Sequence, residues 1–382
     1  MKIIADKNIL SVENGFGQYG ELCLVDGRKI QREDLRDADA LLVRSVTVVD
    51  ESLLRGSNIK FVGTATSGTD HIDLAYLEKN EIHFADAKGS NANAVVEYCF
   101  AALAYAVLNK KLKIENCEVG IIGGGKVGGL FASKLAAMHI NYRVYDPFLA
   151  MQNAVKKSDS QIQYSTLEEV LQCDVVSLHV PLTKSGKFPT ENLLDAEKLH
   201  LLQDGALLIN TSRGGVVDEA ALRQFLQESH DVSCVFDVWN REPKIDQRSA
   251  DQVDIATPHI AGYSQEAKTA ATGVLRQAFQ MHFKLGEIDP DGMNERAVKL
   301  SVNDIGKSED QHWAILLAAF PIDQLSLNFK QAIKEGEGSA AFERIRQQFL
   351  GRREFKSMTI NAQDCSKEQT RFLCLLGFNF AE

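Results

Sequence analysis

Three segments with side chains suited to carboxylate and proton chemistry each follow a short apolar run. Arg213 lies in Asn-Thr-Ser-Arg-Gly-Gly, Glu242 in Asp-Val-Trp-Asn-Arg-Glu-Pro, and His259 in Thr-Pro-His-Ile-Ala-Gly. An Arg can hold a carboxylate through two hydrogen bonds, and a His held by a carboxylate can exchange a proton with a hydroxyl. Taken singly, each is also an ordinary loop residue, so the hypothesis of catalysis rests on the set.

A fourth segment has the glycine spacing of a dinucleotide-binding turn. Gly123, Gly125 and Gly128 fit the pattern G-x-G-x-x-G between a buried-strand run and a helical pattern. Such glycines permit a sharp turn, a close approach of pyrophosphate and tight packing of the helix on the strand. Asp146 closes the next strand, where a carboxylate accepts hydrogen bonds from ribose hydroxyls and repels a 2′-phosphate, which favours NAD over NADP. The alternatives are a flexible glycine turn and an Asp that caps the turn before Pro147.

Parallel strands would bring these segments to one edge of a sheet. Strand-like runs alternate with helical patterns in the middle of the chain, at residues 117–122, 143–145, 174–179, 206–210, 233–237 and 255–257. This alternation predicts an α/β fold with a doubly wound parallel sheet, and ligands of such sheets bind outside the carboxyl ends of the strands. Residues 1–92 predict further short βα units, and residues 93–108 and 265–283 predict two long helices.

The order and spacing of the motifs resemble the D-isomer-specific 2-hydroxyacid dehydrogenase family over roughly residues 1–285. The resemblance implies that Arg213 binds the substrate carboxylate and polarises the C2 oxygen. His259 would take the hydroxyl proton as hydride leaves C2, and Glu242 would hold the imidazole and favour its protonated form. Formate dehydrogenases pair this His with Gln, so Glu242 speaks against that branch.

The same resemblance implies a set of contacts to NAD in the glycine loop and at the strand ends. The expected cofactor-binding residues are Gly123, Gly125, Lys126, Val127, Gly128, Asp146, Val180, Thr211, Ser212, Arg213, Asp237 and Gly262. Asp237 would face the nicotinamide carboxamide, and Gly262 would let the backbone approach the ring. Lys126 stands where the family accepts varied residues.

Other segments resemble the branch of this family that oxidises a phosphorylated four-carbon 2-hydroxy acid in pyridoxal phosphate synthesis. They are residues 3–9, 42–47, 63–73, 179–190 and 259–264. A phosphorylated acid needs a second anion site beyond Arg213, and the donors expected there are Arg44, Ser45, Thr66 and Tyr263, with Lys7 a weaker candidate. That Arg44 and Ser45 only end a strand is equally open. Arg352 and Arg353 could reach the phosphate across a dimer, but a solvated charged face is the favoured interpretation.

The resemblance also implies a division into three parts. A Rossmann-type NAD-binding domain at residues 93–264 would be inserted in a smaller, flavodoxin-like substrate domain at residues 1–92 and 265–285. Residues 286–382 would form a C-terminal α+β module that makes a homodimer, after a linker at residues 289–292. The active site is expected between the first two domains, which would close on the ligands.

Composition limits the alternatives. The formal net charge of −10 is spread along the chain, which argues against nucleic acid or an anionic membrane as partner. The apolar stretch at residues 94–108 is interrupted by Glu97 and is too short to span a bilayer. The seven Cys show no zinc-type spacing, and the first residues lack the apolar core of a signal peptide. We therefore expect a cytoplasmic protein with reduced thiols and no metal.

Two other functions remain open at this point. A related dehydrogenase acting on phosphoglycerate or glycerate would share every catalytic residue. A non-catalytic, NAD(H)-sensing binding module could use the same fold, although the presence of Arg213, Glu242 and His259 argues against it.

Overall fold

The computed structural model describes residues 1–110, 112–156, 164–228, 231–286, 298–300, 302, 305 and 308–381. Its internal contacts divide the chain into two units. Unit 1 contains residues 1–91 and 264–286, and unit 2 contains residues 92–263 and the described residues after 297. The described part of the C-terminal region thus groups with the dinucleotide-binding residues. The linker expected at residues 289–292 lies outside the described residues.

The strands and helices of the described residues are as follows. The strands are β1 (Lys2–Asp6), β2 (Glu21–Val25), β3 (Ala40–Val43), β4 (Phe61–Thr64), β5 (His83–Asp86), β6 (Glu118–Ile122), β7 (Asn141–Tyr145), β8 (Val175–Leu178), β9 (Leu207–Asn210), β10 (Ser233–Phe236), β11 (Ile255–Ala256), β12 (Val298–Lys299), β13 (Met358–Asn361) and β14 (Asn379–Ala381). The helices are α1 (Val12–Phe16), α2 (Glu51–Leu54), α3 (Leu74–Lys79), α4 (Ala92–Lys110), α5 (Lys126–Ala137), α6 (Pro147–Lys156), α7 (Leu167–Leu171), α8 (Ala196–Leu199), α9 (Glu219–Gln227), α10 (Gln247–Gln252), α11 (Gln265–Phe283), α12 (Gln311–Ala319), α13 (Ile322–Lys334), α14 (Gly338–Gln348) and α15 (Lys367–Leu376).

Unit 1 is a parallel sheet with the strand order β2-β1-β3-β4-β5. This is the flavodoxin-like order, in which the chain moves from the centre to one edge and then to the other. Helix α11 covers one face because Leu275 and Phe279 are fully buried against it. The Phe279 ring meets the rings of Phe16 and Phe61 edge-on, with centroids 5.4 Å apart in both pairs.

The larger sheet lies in unit 2 and has the order β11-β10-β9-β8-β6-β7, with all neighbours parallel. The chain passes from β6 outward to β7 and then returns to β8 on the other side of β6. This reversal creates the crevice where doubly wound sheets bind ligands. The predicted α/β fold with a doubly wound parallel sheet is therefore confirmed.

Helix α4 is the central helix of unit 2. It is the one described helix long and apolar enough to cross a membrane by length and composition, but 72% of that window is buried inside the protein. Its apolar side chains join the core beside β6 and the described C-terminal residues. The described C-terminal residues contain helices α12 to α15 and a small parallel sheet of order β12-β13-β14. Trp313 on α12 is buried in the same hydrophobic core as α4.

Arg352 corrects one expectation from the sequence. It does not lie on a solvated charged face, because only 6% of its side chain is exposed. It pairs with Glu97, which α4 carries into the apolar core and which is itself 1% exposed. A carboxylate buried among apolar side chains needs a counter-charge, and the guanidinium of Arg352 provides it.

We predict that Phe279→Ala lowers the free energy of unfolding of unit 1 by about 3–5 kcal/mol, because it removes a fully buried ring. Hydrogen exchange of the peptides that contain β1, β3 and β4 would measure the loss. Met281→Ala is the matched control on the same helix, since its side chain is 69% exposed, and it should change stability by less than about 0.5 kcal/mol. Equal effects of the two substitutions would contradict the packing of α11 on the sheet.

Candidate active site

The three glycines of the dinucleotide motif have different tasks. Gly123 follows β6 with a φ of +98°, which a side chain would oppose. A Cβ on Gly128 would lie 1.9 Å from the Gly123 carbonyl oxygen, so this glycine permits α5 to pack on the turn. No atom lies within 4 Å of a Cβ built on Gly125, the residue that precedes the first turn of α5. The space above Gly125 and the N–H groups of the 12-residue helix α5 fit a pyrophosphate.

Asp146 connects the end of β7 to this glycine turn. Its Oδ2 accepts a hydrogen bond from the backbone N–H of Gly124 at 3.0 Å, and its Oδ1 accepts from the N–H of Leu149 at 3.0 Å. The carboxylate therefore caps α6 and also lies against the cofactor turn. Each oxygen keeps a further lone pair for a ribose hydroxyl.

The ends of β8 and β9 lie next to the same turn. A Cβ on Gly123 would be 2.9 Å from Val180 Cγ1, so Val180 lines the turn. The Thr211 hydroxyl lies 3.3 Å from His179 Nδ1, and the buried Ser212 hydroxyl donates to Asn210 at 2.8 Å. The structure thus brings Gly123, Val180 and Thr211 together. Lys126 is exposed at the start of α5, and Val127 is half-buried behind it.

His179 is a residue of this region that sequence analysis did not single out. Its Nε2 lies 2.9 Å from the Ser177 hydroxyl, and burial lowers the pKa of its imidazole to about 3. The ring is therefore neutral and links Ser177 to Thr211. The available signal was a polar pair, Ser177 and His179, at the end of an otherwise apolar strand.

Arg213 follows β9 in a loop that lies against the segment after β10. Its Nη1 donates to the carbonyl of Ser212 at 2.8 Å, and its side chain is half-buried. A Cβ on Gly214 would be 2.0 Å from the carbonyl carbon of Trp239. Only glycine allows this approach, which places Arg213 beside the segment that contains Glu242.

Glu242 and His259 form a hydrogen-bonded pair. The distance between Glu242 Oε2 and His259 Nδ1 is 2.7 Å, and Glu242 Oε1 accepts from the N–H of Trp239 at 2.9 Å. Burial acts to raise the pKa of Glu242, but the charge and hydrogen bond of His259 outweigh it and hold that pKa below its usual range. Because Nδ1 is engaged, Nε2 is the atom left for proton exchange with a ligand. The His259 side chain is 33% exposed, so a ligand can reach it.

Asp237 fixes the backbone around His259. The Asp237 carboxylate accepts from the Thr257 hydroxyl at 2.6 Å and from the N–H groups of Ile260 and Ala261 at 2.8 Å each. The Asp237 carbonyl accepts from the N–H of His259 at 2.7 Å, which supports the left-handed φ of 55° at this residue. Burial raises the pKa of Asp237 to about 6, although the His259 charge and these hydrogen bonds oppose the rise. A contact of Asp237 or the neighbouring Gly262 with nicotinamide stays a prediction.

Three expected substrate contacts lie in unit 1, at the carboxyl edge of adjacent strands. Arg44 follows β3 and donates from Nε to the buried Asp6 at 2.8 Å, so the guanidinium has a fixed orientation. Ser45 is exposed next to it. Thr66 follows β4, and its hydroxyl donates to the Gly68 carbonyl at 2.8 Å and accepts from the Thr64 hydroxyl at 2.8 Å, so it has one lone pair and no proton left for a ligand. Lys7, the weaker candidate, pairs at 3.9 Å with Asp26.

The fourth expected substrate contact, Tyr263, lies in unit 2. Its carbonyl accepts from Arg352 Nη1 at 3.0 Å, and the Arg346 guanidinium lies 5.3 Å from its ring centroid. Arg352 is thus engaged inside this unit. Within the described ranges, no group of three or more His, Cys, Asp or Glu side chains could hold a metal ion.

Comparison with known proteins agrees with this geometry. Residues 105–261 match the family model described as D-isomer specific 2-hydroxyacid dehydrogenase, NAD binding domain. The chain is 38% identical to the erythronate-4-phosphate dehydrogenase of Hahella chejuensis, with 100% of each chain covered. It is 39% identical to the enzyme of the same name from Teredinibacter turnerae, with 99% of each covered.

Solved structures show the same fold. The D-lactate dehydrogenase from Aquifex aeolicus, complexed with NAD and lactic acid, matches with a TM-score of 0.60 at 24% identity, over 74% of this chain and 96% of that one. The NAD⁺-bound 3-phosphoglycerate dehydrogenase of Entamoeba histolytica matches with a TM-score of 0.62 at 24% identity, over 76% of this chain and 97% of that one.

Substitution of Gly214 tests the contact that places Arg213. We expect Gly214→Ala to lower the free energy of unfolding by about 1–3 kcal/mol, because the new Cβ collides with the backbone of Trp239. Urea unfolding followed by Trp fluorescence reports on unit 2, which holds both Trp residues. Gly351→Ala is the control, since open space surrounds its Cβ. Wild-type stability of Gly214→Ala would show that the two loops do not touch.

The raised pKa of Asp237 predicts a pH dependence of stability. The unfolded carboxyl ionises near pH 3.8, whereas the native one keeps its proton up to about 6, so the native state binds more protons in this range. Stability from this group therefore falls as pH rises, by up to about 3 kcal/mol.

Asp237→Asn should remove that fall while lowering stability overall, because an amide NH₂ would face a backbone N–H. Urea unfolding at a series of pH values from about 4 to 7 would compare the two profiles. Parallel profiles would contradict the raised pKa.

Proposed function

Since this chain belongs to the D-isomer specific 2-hydroxyacid dehydrogenase family, in the branch of the erythronate-4-phosphate dehydrogenases, we propose that it oxidises 4-phospho-D-erythronate with NAD. The product is (R)-3-hydroxy-2-oxo-4-phosphooxybutanoate, and the step serves pyridoxal 5′-phosphate synthesis. The chain is an NAD-dependent oxidoreductase with a Rossmann-type cofactor domain. The observation that carries the proposal is the hydrogen bond between His259 and Glu242, at the carboxyl edge of the same sheet that carries the cofactor turn.

The proposed catalytic residues have two main tasks, which are to bind the substrate carboxylate and to accept the proton of the 2-hydroxyl. Arg213 binds the substrate carboxylate and polarises the C2 oxygen through its guanidinium. His259 Nε2 accepts the proton of the 2-hydroxyl while the C2–H bond breaks. Glu242 stabilises the imidazolium that results, since its lowered pKa keeps it ionised. Bound NAD supplies the acceptor for the hydride that leaves C2.

The cofactor is held by the turn after β6 and by Asp146. The N–H groups at the start of α5 take the pyrophosphate above Gly125, where the structure leaves open space. Asp146 accepts hydrogen bonds from the ribose hydroxyls through the lone pairs that the N–H groups of Gly124 and Leu149 do not use. A 2′-phosphate would meet this carboxylate at short range, so the site favours NAD over NADP.

The substrate phosphate requires a cation outside the catalytic set, and unit 1 offers Arg44. We assign binding of the substrate phosphate to this unit because Arg44, held by Asp6, lies with Ser45 at the carboxyl edge of the sheet. Arg44 supplies charge and Ser45 a hydroxyl donor for the phosphate. Thr66 accepts from a hydroxyl of the substrate, because its own proton is engaged with Gly68.

The proposal also covers the oligomeric state of the protein and its location in the cell. The C-terminal module expected at residues 286–382 would make a homodimer, and the protein would act in the cytoplasm. Its seven Cys are free thiols, as a reducing compartment requires. Light scattering at enzyme concentrations that support turnover would return the mass of two chains, and the mass of one chain would contradict the dimer.

Turnover is tested by the absorbance of NADH after mixing the protein with NAD, 4-phospho-D-erythronate and a keto-acid trap. The wild type should produce NADH, and His259→Ala should lose at least about 100-fold in kcat because the proton acceptor is absent. Turnover of phosphoglycerate or glycerate in place of this substrate would discard the substrate assignment. Tight NADH binding without turnover of any 2-hydroxy acid would support a nucleotide-sensing module instead.

The role of Asp146 predicts a specific loss of cofactor affinity. Asp146→Ser should weaken NADH binding by about 10- to 100-fold, since charge-assisted hydrogen bonds to the ribose are lost. It should also reduce the preference for NADH over NADPH. Reduced nicotinamide mononucleotide, which lacks the adenosine ribose that Asp146 is proposed to bind, is the control ligand and should bind both proteins equally. Fluorescence titration measures the binding of NADH, NADPH and the mononucleotide. Unchanged NADH affinity in Asp146→Ser would contradict the proposed contact of Asp146 with the ribose.

A further inference from the structure

The position of the His259 imidazole depends on the backbone of residues 259–263, which is held at both ends. Asp237 accepts from the N–H groups of Ile260 and Ala261 near its start. The N–H of Tyr263 donates to the carbonyl of Ile260 at 2.8 Å and closes a turn. Tyr263 is therefore connected to His259 by a short, hydrogen-bonded stretch of backbone.

The far end of this segment is held by the C-terminal region. Arg352 donates from Nη1 to the Tyr263 carbonyl at 3.0 Å, and its Nη2 pairs with Glu97. Its guanidinium carbon lies 4.0 Å from the centroid of the Phe320 ring. A carboxylate, a carbonyl and an aromatic ring thus fix the plane of the guanidinium, which then points one donor at Tyr263.

Glu97 is itself held in place. Its Oε1 accepts from the backbone N–H of Phe355 at 2.8 Å and from Asn93 Nδ2 at 2.9 Å. Asn93 also donates to Glu354 at 2.8 Å. The ion pair therefore joins α4 to the chain around Arg352, and both Glu97 oxygens have defined partners.

Stability alone does not explain a buried pair of this kind. Replacing a buried ion pair with apolar side chains of similar volume is often neutral or stabilising, because both charges must leave water. What apolar side chains cannot do is to hold a carbonyl and a carboxylate at once, which needs the fork of an Arg. The Tyr263 ring has a second C-terminal partner, since the Arg346 guanidinium lies 5.3 Å from its centroid.

We propose that Arg352 is a positioning residue for proton transfer. Arg352 is anchored by Glu97 and donates a hydrogen bond to the Tyr263 carbonyl, and in this way it sets the position of His259. The C-terminal region then has a task in the chemistry as well as in packing. This inference rests on the proposed function, because His259 must be the proton acceptor for its position to matter.

The test is a double variant that removes both charges, Glu97→Gln with Arg352→Met, so that no unpaired charge remains in the core. Met covers the Phe320 ring, and Gln retains an acceptor for Phe355. We expect kcat to fall by about 10- to 100-fold, as misplacement of a reacting group does, with the NADH dissociation constant unchanged within about twofold. The primary isotope effect of substrate deuterated at C2 should rise, because the chemical step becomes slower than product release.

Two single variants complete the test. Arg352→Lys keeps the charge and N–H donors but lacks the planar fork of Arg, and its kcat should lie between those of the double variant and the wild type. Arg344→Met removes an exposed Arg of α14 that pairs at 3.8 Å with Glu337, and it should behave as wild type. A folded double variant with wild-type kcat and isotope effect would overturn the proposal. So would a parallel loss of thermal stability, NADH affinity and kcat, which indicates a structural role only.

A readout without turnover separates this proposal from the proposed function. In protein labelled with ¹⁵N-histidine, the His259 signals are assigned by their loss in His259→Gln. The double variant should shift these signals, whatever substrate the enzyme uses. Unchanged His259 signals in the double variant would overturn the positioning role even if the wild type oxidises 4-phospho-D-erythronate.

Discussion

The hydrogen bond between Glu242 and His259 is the interaction on which the candidate site depends. It spans 2.7 Å between groups that follow two neighbouring parallel strands, β10 and β11. Parallel strands bring their carboxyl ends to one edge, so that segments far apart in sequence can meet there. The bond fixes one imidazole nitrogen and leaves the other for a ligand, which suits His259 to the proposed role of proton acceptor.

Two carboxylates beside this histidine have pKa values shifted in opposite directions. Burial raises that of Asp237, whose oxygens are engaged with Thr257 and with backbone N–H groups. The charge of His259 lowers that of Glu242. Environments that separate the pKa values of neighbouring acids assign them different tasks. Asp237 holds the backbone around His259, and Glu242 stays ionised beside the ring, as its proposed role in stabilising the imidazolium requires.

Much of this arrangement was predictable because it is local in sequence. The glycine turn, the alternating strands and the segments around Arg213, Glu242 and His259 each have a short-range pattern with a physical reason, and the doubly wound sheet follows from them. The close approach of Gly214 to Trp239 and the burial of Arg352 result from packing between distant segments. The sequence signal for the burial of Arg352 was Glu97, since a charge inside an apolar helix requires a buried partner.

Direct transfer of hydride from C2 of the substrate to NAD can be tested by one labelling experiment. The wild-type protein would be mixed with NAD and 4-phospho-D-erythronate that carries deuterium at C2, and the nicotinamide product examined by mass spectrometry. Direct transfer should give reduced cofactor that contains one deuterium, and His259→Ala should form this labelled cofactor at least about 100-fold more slowly than the wild type. Reduced cofactor without deuterium, or none at all from a protein that binds NADH, would contradict it.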